Sequence, residues 1–127
     1  MVAENNSLGP LEADIMQVIW KIQKATVQDV YDELSQDRTI AYNTVMTVMT
    51  RLAQKGVLKR QKDGRAYVYF PKTTKNEVGK GMLQYVIDKI FGGSRAPVIS
   101  QLLDETELSE EELNVLKRLV EQKKSEG

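Results

Sequence analysis

Apolar residues recur along this chain at helical spacing, give way once to strand-like alternation, and then return to helical spacing. From Leu8 they fall at Leu11, Ile15, Val18, Ile19 and Ile22, the i, i+3, i+4 rhythm of a helix with one face in a core. Pro10 stands early enough for the first turn to accept it. Trp20 lies off the stripe and reads as a packing residue, while residues 1–7 are polar and are expected to be loose. Thr26 with Asp29 three positions on is a capping-box pair, opening a second helix whose apolar positions are Val27, Val30, Tyr31 and Leu34. The polar run Ser35-Gln36-Asp37-Arg38 makes a turn. A third helix is expected from near Thr39 to Gly56, with Val45, Val48, Met49 and Leu52 as its buried stripe. Asn43, Thr47, Thr50 or Arg51, and Gln54 then fall on the opposite side.

Two short strands follow, Val57–Gln61 and Arg65–Phe70, separated by an Asp63-Gly64 turn signal and closed by Pro71. Tyr67 and Tyr69 alternate with Val68, so either the valine or the two tyrosines face the core. Three helices and a hairpin within ~65 residues describe a winged helix-turn-helix, whose second and third helices form the helix-turn-helix and whose hairpin is the wing. Beyond it the pattern is wholly helical. One helix carries Val78, Met82, Val86 and Ile90 and breaks at Gly92-Gly93-Ser94. Another opens at Pro97 and carries Val98 and Leu102; a third opens at the Ser109–Glu112 capping box and carries Leu113, Leu116 and Val120. Three short helices bury little apolar surface by themselves, so association is expected, a twofold dimer being the commonest kind. Met82, Val86, Ile90, Val98, Leu102, Leu113, Leu116 and Val120 are its candidate contacts. The expected fold is mostly α with one small hairpin: a winged helix-turn-helix domain over residues 1–73, then a three-helix dimerisation domain over 74–127.

Composition narrows the chemistry. The chain has no cysteine and no histidine, which removes thiolate and imidazole nucleophiles, bases and zinc ligands. No phosphate-cradling glycine motif follows a strand. A catalytic role, a metal and a cofactor are therefore not expected. No apolar run approaches the ~20 residues that span a bilayer, and no basic-then-apolar leader is apparent, so a cytoplasmic protein without membrane insertion is expected.

Formal net charge is zero, yet it is unevenly placed. From Arg38 to Lys75 the basic residues Arg38, Arg51, Lys55, Lys59, Arg60, Lys62, Arg65, Lys72 and Lys75 face Asp63 alone, a local charge of +8. The remainder carries −8, partly in the run Asp104, Glu105, Glu107, Glu110, Glu111 and Glu112. A local basic surface is what binding to a polyanion requires. The first turns of a recognition helix present base-reading side chains to the major groove, here Tyr42, Asn43, Thr44, Met46 and Thr47. Asn pairs bidentately with adenine, and Thr and Met suit a thymine methyl, so A/T-containing half-sites are expected. Arg51, Lys55, Lys59, Arg60, Lys62 and Arg65 are the candidate phosphate contacts, which position a protein without reading sequence. For Arg51, a salt bridge to the first or second helix is an equal alternative. A protein-interaction module of the same fold, with incidental basicity in the hairpin, is the competing reading.

The combination Leu8-Gly9-Pro10-Leu11-Glu12 with Ile15-Met16 and Ile19-Trp20, then Tyr42-Asn43-Thr44-Val45 with Thr47, Arg51-Leu52 and Lys55-Gly56, then Asp63-Gly64-Arg65-Ala66-Tyr67 with Tyr69, and Leu108-Ser109 with Glu112-Leu113, resembles the BlaI/MecI penicillinase repressor family over essentially the full length. The resemblance implies a homodimeric winged-helix repressor on double-stranded palindromic operators, often with TACA/TGTA half-sites. It also implies a regulatory protease as a partner, which in the best-known members cuts an Asn-Phe bond in the dimerisation domain. Counting back from Leu108-Ser109, that bond corresponds to Gln101-Leu102 here, a departure from the family pattern. Copper-responsive relatives use a cysteine motif, which this chain lacks.

Overall fold

A computed structural model describes residues 7–104 and 107–126. The expected looseness of residues 1–6 and the acidic Glu105 lie outside the described residues. The elements are α1 (Pro10–Ile22), α2 (Val27–Leu34), α3 (Tyr42–Gln54), β1 (Leu58–Asp63), β2 (Ala66–Pro71), α4 (Lys75–Lys89), α5 (Ala96–Asp104) and α6 (Glu110–Glu126). They fall into two compact units, Met1–Val86 and Ile87–Gly127, with the division inside α4.

The first two helices start for a local reason. In α1, Pro10 occupies the first turn, and the N–H of Gly9 donates to Glu12 Oε1 at 2.9 Å. In α2, the N–H of Asp29 donates to Thr26 Oγ1 at 3.1 Å while the N–H of Thr26 donates to Asp29 Oδ2 at 3.0 Å. That reciprocal pair satisfies two of the amides that a helix start leaves orphaned. α3 begins at Tyr42 rather than near Thr39, because Ala41 is its extended N-cap and offers no capping side chain. The chain therefore spends Thr39 and Ile40 reaching α3 from α2. Its end is marked by Gly56, whose φ of +83° suits the left-handed residue that follows a helix.

The core of this unit is the set of stripes that the periodicity marks. Ile15, Met16 and Ile19 of α1, Val30 of α2, and Val45, Met49 and Leu52 of α3 are fully buried. Met16 was not on the expected stripe, and Ile22, which was, is 45% exposed. α1 ends at Ile22, and the next residue, Gln23, takes a left-handed conformation. Trp20 packs at the edge of the core and donates its indole N–H to the Thr73 carbonyl at 2.8 Å.

β1 runs two residues further into the turn than the sequence suggested, and β2 starts one residue later, at Ala66. Antiparallel register pairs Leu58 with Pro71, Arg60 with Tyr69, Lys62 with Tyr67 and Asp63 with Ala66. The loop is therefore Gly64-Arg65, not Asp63-Gly64. Of those two only Gly64 has positive φ, at 66°, the pattern of a II′ turn with glycine first. Only one tyrosine faces the core: Tyr69 is buried, while Tyr67 is 41% exposed and Val68 half-buried. An isolated bridge between Ala25 and Tyr69 adds a single-residue third strand.

α4 opens with a capping box that the sequence reading passed over, Thr74 with Glu77. Val78 is buried in the first unit. In the second unit, α6 opens with the expected Ser109–Glu112 box. Apolar cover is sparse: of its described residues Ile87 alone is buried, and α5 and α6 contain no buried residue. Ile90, Leu102, Leu113 and Val120 are exposed, as is Val86 in the first unit; Val98, Leu116 and the first unit's Met82 are half-buried.

Because Thr26 caps a helix whose inner face is fully packed, Thr26→Ala is expected to cost about 1 kcal/mol. Urea unfolding should show a lower midpoint with an unchanged slope; an unchanged midpoint would mean that the box contributes nothing.

Candidate nucleic-acid interface

Burying Val45, Val48, Met49 and Leu52 leaves the other side of α3 in solvent. Tyr42, Asn43, Thr44, Met46 and Thr47 are all exposed there, followed by Arg51 and Gln54. The Tyr42 ring stands edge-on to Tyr31 of α2, with centroids 5.8 Å apart. That contact fixes one end of the exposed face against the preceding helix. Thr47 donates its hydroxyl proton to the Asn43 carbonyl at 2.8 Å, and Thr50 donates to Met46 at 2.9 Å. The two hydroxyl protons are thus spent within the helix. This leaves methyl groups and oxygen lone pairs outward, and Asn43 as the amide able both to donate and to accept.

β1 packs against α3. Between them a groove of about 280 Å³ is lined by Thr50, Gln54, Lys59, Arg60 and Lys72, so the C-terminal half of α3 and the wing share one surface. The strand alternation splits the wing cations by face. Arg60 and Lys62 lie with Tyr67 and Tyr69, Lys59 lies with Phe70 on the other face, and Arg65 occupies the turn. The Lys59 ammonium sits 5.8 Å from the Phe70 centroid. Arg60 is held from two sides: its guanidinium lies 4.2 Å from the Tyr67 ring centroid, and Nη1 reaches the Tyr69 hydroxyl at 3.5 Å. That hydroxyl bond, helped by weaker electrostatic effects of Tyr69 and Tyr67 and opposed by slight desolvation, raises the Arg60 pKa above its ordinary value, so the group stays cationic throughout.

Lys55 departs from the expected set of phosphate contacts. Its ammonium donates to the Ser7 carbonyl at 2.8 Å and to both Glu12 oxygens at 3.1 and 3.2 Å. The lysine and glutamate side chains are only 24% and 12% exposed. Lys55 therefore ties the end of α3 to the start of α1, a pairing across 43 residues that no local spacing announces. Arg38 is likewise paired, with Asp14 at 2.9 Å. Arg51, Lys59, Arg60, Lys62 and Arg65 are exposed and make no salt bridge among the described residues. Also among the described residues, no group of three or more potential metal ligands occurs, and no helix is long and apolar enough to cross a membrane.

The penicillinase repressor family model matches residues 8–122. The chain belongs to that family. It is 30% identical over 114 residues to the penicillinase repressor of Bacillus licheniformis, covering 90% of this chain and 89% of that one. The transcriptional regulator BlaI of Mycobacterium tuberculosis is 37% identical over 83 residues, which cover 65% of this chain and 60% of that protein. The methicillin resistance regulatory protein MecI of Staphylococcus aureus is 22% identical over 112 residues, covering 88% and 91%. Among solved structures, the solution structure of the DNA binding domain of the repressor BlaI aligns with a TM-score of 0.51 and 34% identity, covering 56% of this chain and 87% of that one.

A test separates the paired lysine from the unpaired ones. Lys55→Met is expected to cost about 1–2 kcal/mol through loss of charge-assisted hydrogen bonds, whereas Lys62→Met should stay within about 0.5 kcal/mol of the parent. Equal losses in urea unfolding would remove the structural role assigned to Lys55.

Proposed function

We propose that this repressor binds palindromic DNA operators as a homodimer in the cytoplasm, without catalysis or a cofactor. The observation that carries the reading is the exposed face of α3 lying beside a wing of unpaired cations, on a scaffold shared with a BlaI DNA binding domain. In this reading Asn43 makes the bidentate base contact, ideally to adenine. Tyr42, Thr44, Met46 and Thr47 supply shape and apolar contact. Arg51, Lys59, Arg60, Lys62 and Arg65 engage phosphates, and Lys55 supports them only indirectly. The TACA/TGTA half-sites that the family resemblance implies fit such a readout.

Dimerisation is proposed through the uncovered apolar positions of α4, α5 and α6. A regulatory protease is the remaining proposed partner. The Gln101–Leu102 bond lies within α5, in helical backbone. A protease reaches such a bond through local opening of the helix, so cleavage there would be coupled to the stability of α5.

The first experiment is selection of genomic fragments by the purified full-length protein, followed by binding across a salt series. Enrichment of short palindromes is expected; indifference to sequence would favour the interaction module instead. In the double variant Lys62→Glu with Arg65→Glu, operator affinity should fall, and the salt slope of a dimer should become shallower by about 3 to 4, at roughly 0.9 per lost contact. Unchanged affinity would exclude the wing as a phosphate clamp.

For the dimer, Leu113→Glu with Val120→Glu alters two exposed positions of α6. The variant is expected to keep its helical circular dichroism and sediment as a monomer. A persistent dimer would place the interface elsewhere.

A further inference from the structure

Inside the first unit, a cleft of about 670 Å³ runs between the C-terminal half of α1 and the segment leading from β2 into α4. Trp20 and Lys21 line one side, and Pro71, Lys72, Thr73 and Lys75 the other; no lining residue is acidic. The volume falls within the ~300–1,000 Å³ usual for small-molecule sites, which combine an apolar or aromatic wall with a few polar groups.

Lys21, Lys72 and Lys75 make no salt bridge among the described residues. Lys75 opens α4, where a cation meets the positive end of the helix dipole, so its own helix does not stabilise it. The Thr73 carbonyl accepts the Trp20 indole N–H, which holds the indole at the edge of the cleft. Three cations and an indole therefore border a single cavity.

We propose that this cleft binds a small organic anion: a carboxylate or phosphate ester on a flat apolar body. The anionic group lies among Lys21, Lys72 and Lys75, while the body lies against Trp20 and Pro71. The cleft adjoins the groove between α3 and the wing and shares Lys72 with it, but the inference does not depend on operator binding.

Trp20 is the one tryptophan of the chain, so its fluorescence reports on the cleft directly. Full-length protein without DNA is titrated with phenyl phosphate, with benzyl alcohol as the neutral control. A saturable change with phenyl phosphate and none with benzyl alcohol is expected. Lys72→Gln with Lys75→Gln, both at exposed positions, should raise the half-saturation concentration by about tenfold or more, with unchanged circular dichroism. No response, an equal response to the alcohol, or an unaltered midpoint in the variant would each overturn the proposal. A third arm uses duplex operator alone. If it reproduces the same Trp20 change and loses it in the same variant, the lysines bind backbone phosphate and the small-molecule site is wrong.

Discussion

Attachment of the wing to the helical core runs through Tyr69. Its backbone N–H donates to the Ala25 carbonyl at 2.8 Å, and its own carbonyl accepts from the Ala25 N–H at 3.0 Å. Its ring is 2% exposed within the core, and its hydroxyl faces Arg60. Ala25 lies between α1 and α2, so a single residue of β2 fixes the loop that orients the helix-turn-helix and the hairpin that flanks it. A two-stranded hairpin is marginal by itself in water. Packing Leu58 and Tyr69 into the core, with the Ala25 bridge at its base, is what gives the wing a defined position beside α3.

What was legible in the sequence was what local chemistry specifies. The α3 stripe of Val45, Val48, Met49 and Leu52 follows from period alone, and the Thr26–Asp29 and Ser109–Glu112 boxes follow from spacing of three. The Thr74–Glu77 box has the same signature, just beyond the Pro71 that closes β2. The start of α3 differs from the expected Thr39 because its N-cap, Ala41, has no capping side chain to announce it. Partners distant in sequence were not legible at all. Lys55 looks like one more member of a basic run until α1 brings Glu12 to it. Arg60 gains its two tyrosine contacts only through hairpin register, which the one-residue shift of the turn decides. Trp20 meets Thr73 only when α1 lies along the end of β2.

The two halves of the chain solve the burial problem differently. In the first unit, the stripes of α1, α2 and α3 face one another and close a core. In the second, among the described residues, only Ile87 is buried. Exposed apolar side chains in numbers mark an interaction surface, and a stretch this short lacks the volume to cover them internally. The proposed dimer follows from that deficit rather than from any single contact, and it accounts for apolar spacing that is as regular as the first unit's while leaving its side chains in solvent.

The composition of α3 can be understood in the same physical terms. Threonine is a poor helix former, yet Thr44, Thr47 and Thr50 lie in one helix of 13 residues. By donating to the carbonyls four residues back, Thr47 and Thr50 satisfy their own hydroxyls, so the exposed face loses two donors and presents methyl groups instead. A helix selected for solvation would carry charge pairs at these positions, whereas Arg51 is its one charged residue. The face is therefore apolar and compact where it would enter a groove, and cationic only where the backbone would pass. Under the proposed function, discrimination rests on Asn43 and on thymine methyls, and affinity rests on cations that lie elsewhere. That division lets a neutral chain bind a polyanion: the +8 segment supplies attraction, and the compensating acidic residues lie outside it.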